Sequence, residues 1–149
     1  MMKSIGLGLA LTIAATSPAA AEWTLRQSDG YAQTTTSGPG YRLEIWCRRG
    51  GPLDMTLVAL NSTADFKGVR GLMLWLTRPD GRTDRWPVDV IPEGPALSGQ
   101  FSVSDFNLDF FRHGASFVLD APATGKTFLA GGMKGTGAAR LAFKEQCGY

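Results

Sequence analysis

The chain is poor in the residues that most chemistry needs. It holds one histidine, His113, and two cysteines, Cys47 and Cys147, in 149 residues. A single imidazole excludes every two-histidine metal site, and a Ser-His-Asp triad through His113 lacks any G-x-S-x-G context. The ordinary reading of His113 is a solvent-facing residue at a helix end, and a hydrolase built on it ranks third among functions. No CxxC spacing supports a thiol metal site or a redox pair, and no carboxylate pair has glycosidase spacing. Long apolar runs are equally scarce. The run at 5–15 falls short of the roughly 20 residues of a membrane span, and no later stretch approaches it. Charge of one sign is missing too: fifteen Lys and Arg stand against thirteen Asp and Glu, a formal +2. Nucleic-acid binding is built on many neutralised phosphates, so this balance excludes it as the main role.

What is present begins with an export signal. Lys3 supplies a positive start, 5–15 the apolar run, and Ala19-Ala20-Ala21 an A-x-A cleavage site before Glu22. Removal of 1–21 leaves one domain at 22–149, with no cysteine just after the cleavage site to carry a lipid. The expected product is periplasmic or secreted, without stable membrane insertion. Two cysteines in an exported chain are most simply one disulfide, Cys47–Cys147. Nineteen glycines and few helix-forming runs point to many short strands. The expected class is all-β, mainly antiparallel: a small barrel or sandwich with a short C-terminal helix, and 104–113 as the candidate for a second short helix.

Taken in order, 22–26 and 31–35 read as short strands and 34–40 as a surface loop. The segment 41–48 alternates clearly, with Tyr41, Leu43, Ile45 and Cys47 on the face expected to be buried. After Arg49-Gly50-Gly51-Pro52, a strand at 54–60 follows, and Asn61-Ser62-Thr63 is taken as a turn rather than a glycosylation site. The segment 71–77 is apolar at nearly every position, as in a strand covered on both faces. Pro79 and Gly81 predict a three-residue hairpin loop that sets Trp75 opposite Arg85; a two-residue Asp80-Gly81 turn would set it opposite Trp86. A strand at 97–103 leads to 104–113, where Ser104 suits an N-cap and Gly114 a stop, although Phe106, Leu108 and Phe110 also alternate as in a strand. A hairpin at 115–130 and a helix at 135–147, capped by Thr136, complete the chain.

Several motifs fail on inspection. Gly125-Lys126-Thr127 resembles the end of a phosphate loop, but Asp120 stands where the first glycine belongs. Gly135-Thr136-Gly137 has Arg140 at its third glycine position and no βαβ unit around it. Three small basic clusters, Arg48-Arg49, Lys67 with Arg70, and Arg82 with Arg85, lie near Trp46, Trp75 and Trp86. Together they form a candidate patch for an acidic or sugar-bearing partner, although solvated arginines at sheet edges are the plainer reading.

Two resemblances follow. The ending Phe128-Leu129, glycines, then Gly135-Thr136-x-x-Ala139-x-Leu141 up to Cys147, resembles small exported proteins of the invasion-associated locus B type. That implies a β-rich domain with a short final helix and an envelope or host-interaction role without enzymatic activity. Residues 41–57, Ser98-Gly99-x-Phe101 and Arg112 with Gly114 resemble periplasmic inhibitors of C-type lysozyme. This implies that Ser98 and Arg112 would enter a lysozyme's acidic cleft and hydrogen-bond its carboxylates. The expectation is therefore a non-enzymatic binding or accessory protein of the envelope, with lysozyme inhibition as the alternative. No cofactor and no metal are expected, the partner is an envelope or host protein, and the candidate contacts are Ser98, Arg112, Trp75, Arg85 and Trp86.

Overall fold

The computed structural model describes residues 22–149, so the export-signal reading of 1–21 lies outside the described residues. Strands β1 (Thr24–Ser28), β2 (Tyr31–Gly38), β3 (Tyr41–Arg48) and β4 (Leu53–Ala59) form consecutive antiparallel hairpins. Beyond them come β5 (Gly71–Thr77), β6 (Thr83–Glu93), β7 (Ala96–Phe101), β8 (Ser116–Ala121) and β9 (Lys126–Gly132). Among the described residues these make one antiparallel sheet of nine strands, ordered β1-β2-β3-β4-β7-β6-β5-β8-β9 and curled into a half-barrel. Two short helices complete it: α1 (Asp105–His113) after β7, and α2 (Thr136–Ala142), which runs on into a wider π turn over Phe143–Cys147.

The curl is concentrated in β6. Its first part pairs with β5, from Thr77↔Thr83 to Gly71↔Asp89, and its last four residues pair with β7, from Val90↔Gly99 to Glu93↔Ala96. At that corner the backbones come close. A Cβ at Gly99 would overlap the carbonyl oxygen of Asp89 and Cγ2 of Val88, so only glycine fits.

Alternation sends one set of side chains inward. Tyr41, Leu43, Ile45 and Cys47 of β3 meet Leu53, Met55 and Leu57 of β4, Leu72, Leu74 and Leu76 of β5, and Trp86 and Val88 of β6, all buried. Each such side chain contributes about 1.5–3 kcal/mol through removal from water. From the helices Leu108, Phe110, Phe111, Ala139, Ala142 and Phe143 fill the same core. Trp23 seals the open side. Its ring stands edge-on to Phe111 at 5.3 Å and Phe117 at 5.0 Å, and its Nε1–H donates to Gly132 O at 3.1 Å. The Trp23 backbone N–H donates to Lys134 O at 2.8 Å, which ties the start of the described chain to the segment after β9.

The tail is anchored at its far end by Cys47–Cys147, which joins residues 100 apart in sequence with Cα atoms 6.1 Å apart. Around it, Tyr149 Oη donates to Gly51 O at 2.8 Å and the Gly30 N–H to Gln146 Oε1 at 3.2 Å. A disulfide of this kind belongs with an oxidising compartment. No helix among the described residues is long and apolar enough to cross a membrane.

The predicted hairpin register holds: Trp75 pairs with Arg85, and the Gly81 N–H donates to Arg78 O at 2.9 Å. The segment 104–113 resolves as helix, with the Ser104 backbone N–H donating to Asn107 Oδ1 at 2.9 Å across its first turn. Other expectations need correction. Residues 34–38 are not loop but the end of β2, because Thr34 and Thr36 are β-branched and buried on the inner face, and the Thr34 hydroxyl finds Thr24 O at 3.2 Å. Strand β5 is buried on one face only; Met73 and Trp75 on the other are half-exposed. Thr136 is not the N-cap of α2. Gly135 holds that position with φ 100°, where a Cβ would overlap Trp23 O, while the buried Thr136 hydroxyl donates back to Met133 O at 2.8 Å.

Two variants test this construction. Replacing both cysteines by alanine is expected to lower unfolding stability in urea by about 2–5 kcal/mol, and an unchanged midpoint would contradict the role given to the tail. Gly99→Ala is expected to cost about 1–3 kcal/mol by overpacking the β6 corner, measured the same way.

Candidate functional site

The outward side chains form cross-strand rows that sequence proximity does not reveal. One row runs Gln33, Trp46, Asp54, Gln100 across β2, β3, β4 and β7. The next runs Thr35, Glu44, Thr56, Ser98, Ile91 and ends on β6. Where β6 bends away at Gly99, the ends of these rows face Pro87 and Asp89, and a groove of about 970 Å³ opens. Its lining includes Trp46, Asp54, Thr56, Pro87, Asp89, Ile91, Ser98 and Gln100, with Glu93 at one end.

The groove is acidic and partly apolar. Asp54, Asp89 and Glu93 have no ion-pair partner among the described residues, and no Lys, Arg or His lines it. Burial pushes the Asp54 carboxyl above the usual aspartate range, opposed in part by a hydrogen bond with Gln100. Trp46 borders the groove. Tyr31 leans against it with ring centroids 6.4 Å apart, and the Arg48 guanidinium sits 5.5 Å from the Tyr31 centroid and 5.9 Å from that of Trp46.

The predicted contact residues separate into four groups. Ser98 lies in the groove itself. Trp75 and Arg85, paired across strands, share the outer face of β6 with Pro87 and Asp89 by alternation, and Trp75 Nε1–H donates to Asp120 Oδ1 at 3.2 Å. Trp86 is a correction: it is 2% exposed, turned into the core, and its Nε1–H is held by Asp84 Oδ2 at 2.9 Å. Its ring cannot meet a partner. Arg112 lines a separate depression between α1 and α2 with Asp109, Arg140 and Lys144, so Ser98 and Arg112 do not converge on one cleft. His113 is exposed at the end of α1. Lys67 and Arg70 are exposed near the short 3-10 turn at Ala64–Phe66 and do not line the groove.

Trp46, Asp54 and Gln100 were missed as a group because Gln100 lies 46 positions beyond Asp54. The available signal was local: Trp46 lies on an outward-facing alternate of its strand, where a large aromatic is out of place. Among the described residues no cluster of His, Cys, Asp and Glu is placed to hold a metal ion. A second titrating cluster lies elsewhere. Tyr41 Oη donates to Asp65 Oδ2 at 2.5 Å, and Lys126 Nζ lies 3.4 Å from the same oxygen. Burial, then the bond to Asp65 and its charge, raise the Tyr41 hydroxyl to about 12. The same bond, with help from Lys126, holds Asp65 below the usual range.

No protein-family model, curated protein or solved structure matches the chain.

Both titrating groups yield predictions. The folded Asp54 carboxyl holds its proton more tightly than the unfolded chain does, so this group's stabilising contribution is present at low pH and lost as pH rises through its raised value. Asp54→Asn is therefore expected to be at least as stable as the unmodified protein at pH 7 in urea, with the difference shrinking as pH falls; a clear loss at pH 7 would contradict the burial argument. Tyr41 also keeps its proton longer when folded, so stability is expected to fall as pH rises from 10 towards about 12. An absorbance titration should show Tyr41 as a late phenol near 12 beside Tyr149, which burial also raises, and Asp65→Asn should move the Tyr41 step to lower pH.

Proposed function

We propose that the protein is an exported, non-enzymatic binding protein of the cell envelope that meets its target through the outer-face groove. The observation that carries this reading is the meeting of Trp46, Asp54, Ser98 and Gln100 in one groove. None of these polar groups is needed to close the sheet, and the ionised Asp54 costs the fold. Exposed apolar and unpaired acidic side chains gathered in a concavity are the composition of a contact surface. The export signal expected at 1–21 and the disulfide agree with a periplasmic or secreted setting. The resemblance of the chain's ending to invasion-associated locus B proteins supports the same role.

Lysozyme inhibition gains no support from the geometry. It needs Ser98 and Arg112 in one insertion, whereas they line different depressions, and Ser98 stands among carboxylates that would repel an acidic cleft.

A photo-crosslinking residue at Ser98, introduced into the protein exported in its native envelope, tests the reading. A discrete adduct is expected at position 98 and not at a control position on Arg112, and Trp46→Ala should abolish it. No adduct at position 98 would overturn the proposal.

A further inference from the structure

The groove also carries information about the chemistry of its occupant. Three carboxylates, Asp54, Asp89 and Glu93, face it unpaired, and no cation lines it, so an anionic ligand would be repelled. Between the acids lie Pro87 and Ile91, the latter 68% exposed. Aliphatic stems of lysine or arginine pack on such a surface while their charged ends reach a carboxylate. Trp46 adds a donor. The other three indoles are committed, Trp23 to Gly132, Trp75 to Asp120 and Trp86 to Asp84, whereas the Trp46 Nε1–H has no acceptor among the described residues. It is free to meet a carbonyl oxygen.

A neutral glycan fits less well. Stacking a sugar needs an open aromatic face, and Arg48 and Tyr31 already lie against Trp46. Such a ligand would also leave the three acids without partners. From Trp46 on β3 to Pro87 on β6 the groove crosses three strand intervals by way of β4 and β7. At about 4.8 Å each this is roughly 14 Å, the reach of four to five extended residues at about 3.3 Å.

We propose that the groove receives a short extended segment of a partner protein that turns a row of lysine or arginine side chains, at alternate positions, towards it. This rests on the binding reading above and names its ligand class.

The test uses the mature protein with ¹⁵N-labelled indoles and three probes: acetyl-Lys-Val-Lys-Val-Lys-amide, its glutamate counterpart, and tetra-N-acetylchitotetraose. The lysine peptide is expected to move the Trp46 indole resonance, to leave those of Trp23 and Trp86 in place, and to bind more weakly as salt rises. The double variant Asp54→Asn, Asp89→Asn should weaken it by about tenfold, with unchanged Trp23 and Trp86 resonances reporting an intact fold. The glutamate peptide should move nothing. Failure of the lysine peptide to move Trp46, or a shift indifferent to the double variant, overturns the proposal. If the oligosaccharide alone moves Trp46, the peptide assignment falls and the binding reading stands. The binding reading itself is decided by the crosslink at position 98 and falls if that adduct is absent.

Discussion

A sheet that curls only halfway leaves an open side, and the fold depends on how that side is filled. Here the plug is made from the two ends of the described chain. Trp23 enters from one end with its indole on Gly132, and α2 with its π turn enters from the other, fixed by Cys47–Cys147. The sheet's far strands also touch: a Cβ at Gly38 on β2 would meet Cδ2 of Leu129 on β9. No ladder of hydrogen bonds joins β1 to β9 at this seam; one isolated bridge, Glu22 with Lys134, and the two bonds from Trp23 cross it. Packed side chains and one covalent bond hold the rest, which is why a residue as remote as Cys147 matters to the position of β3.

Because the core is satisfied from inside, the outer face is free to differ from it. The register across β3, β4 and β7 places Trp46, Asp54 and Gln100 side by side, and the bend of β6 at Gly99 turns a sheet surface into a groove. The same close approach that forbids a side chain at Gly99 thus creates the concavity. Asp54 is the sign that this surface is more than leftover polarity: a half-buried carboxylate without a cation works against stability, and selection for packing alone would favour a neutral group there.

Much of this was legible in the residues. Strict alternation from Tyr41 to Cys47 located β3 and its buried face, and Pro79 with Gly81 set the β5–β6 register. That register already put Arg85 and Trp86 on opposite faces, so the loss of Trp86 to the core was readable. The threonines at 34–36 were not, because composition marks them as turn-like while their branching and a buried hydroxyl bond suit a strand. Nor could the cap of α2 be read, since Gly135 is required by the approach of Trp23, more than a hundred residues away in sequence. The groove was hidden for the same reason: its rows are built from pairings between β3, β4 and β7, which only the folded register supplies.

The plug is the claim on which both fold and groove rest, and amide hydrogen exchange on oxidised and reduced protein addresses it most directly. Reduction is expected to speed exchange first in residues 136–147 and in the β2–β3 hairpin that the tail covers, while β5 and β8 keep their protection. Equal protection of 136–147 in both forms would show that the tail is held without its covalent anchor, and would contradict the account.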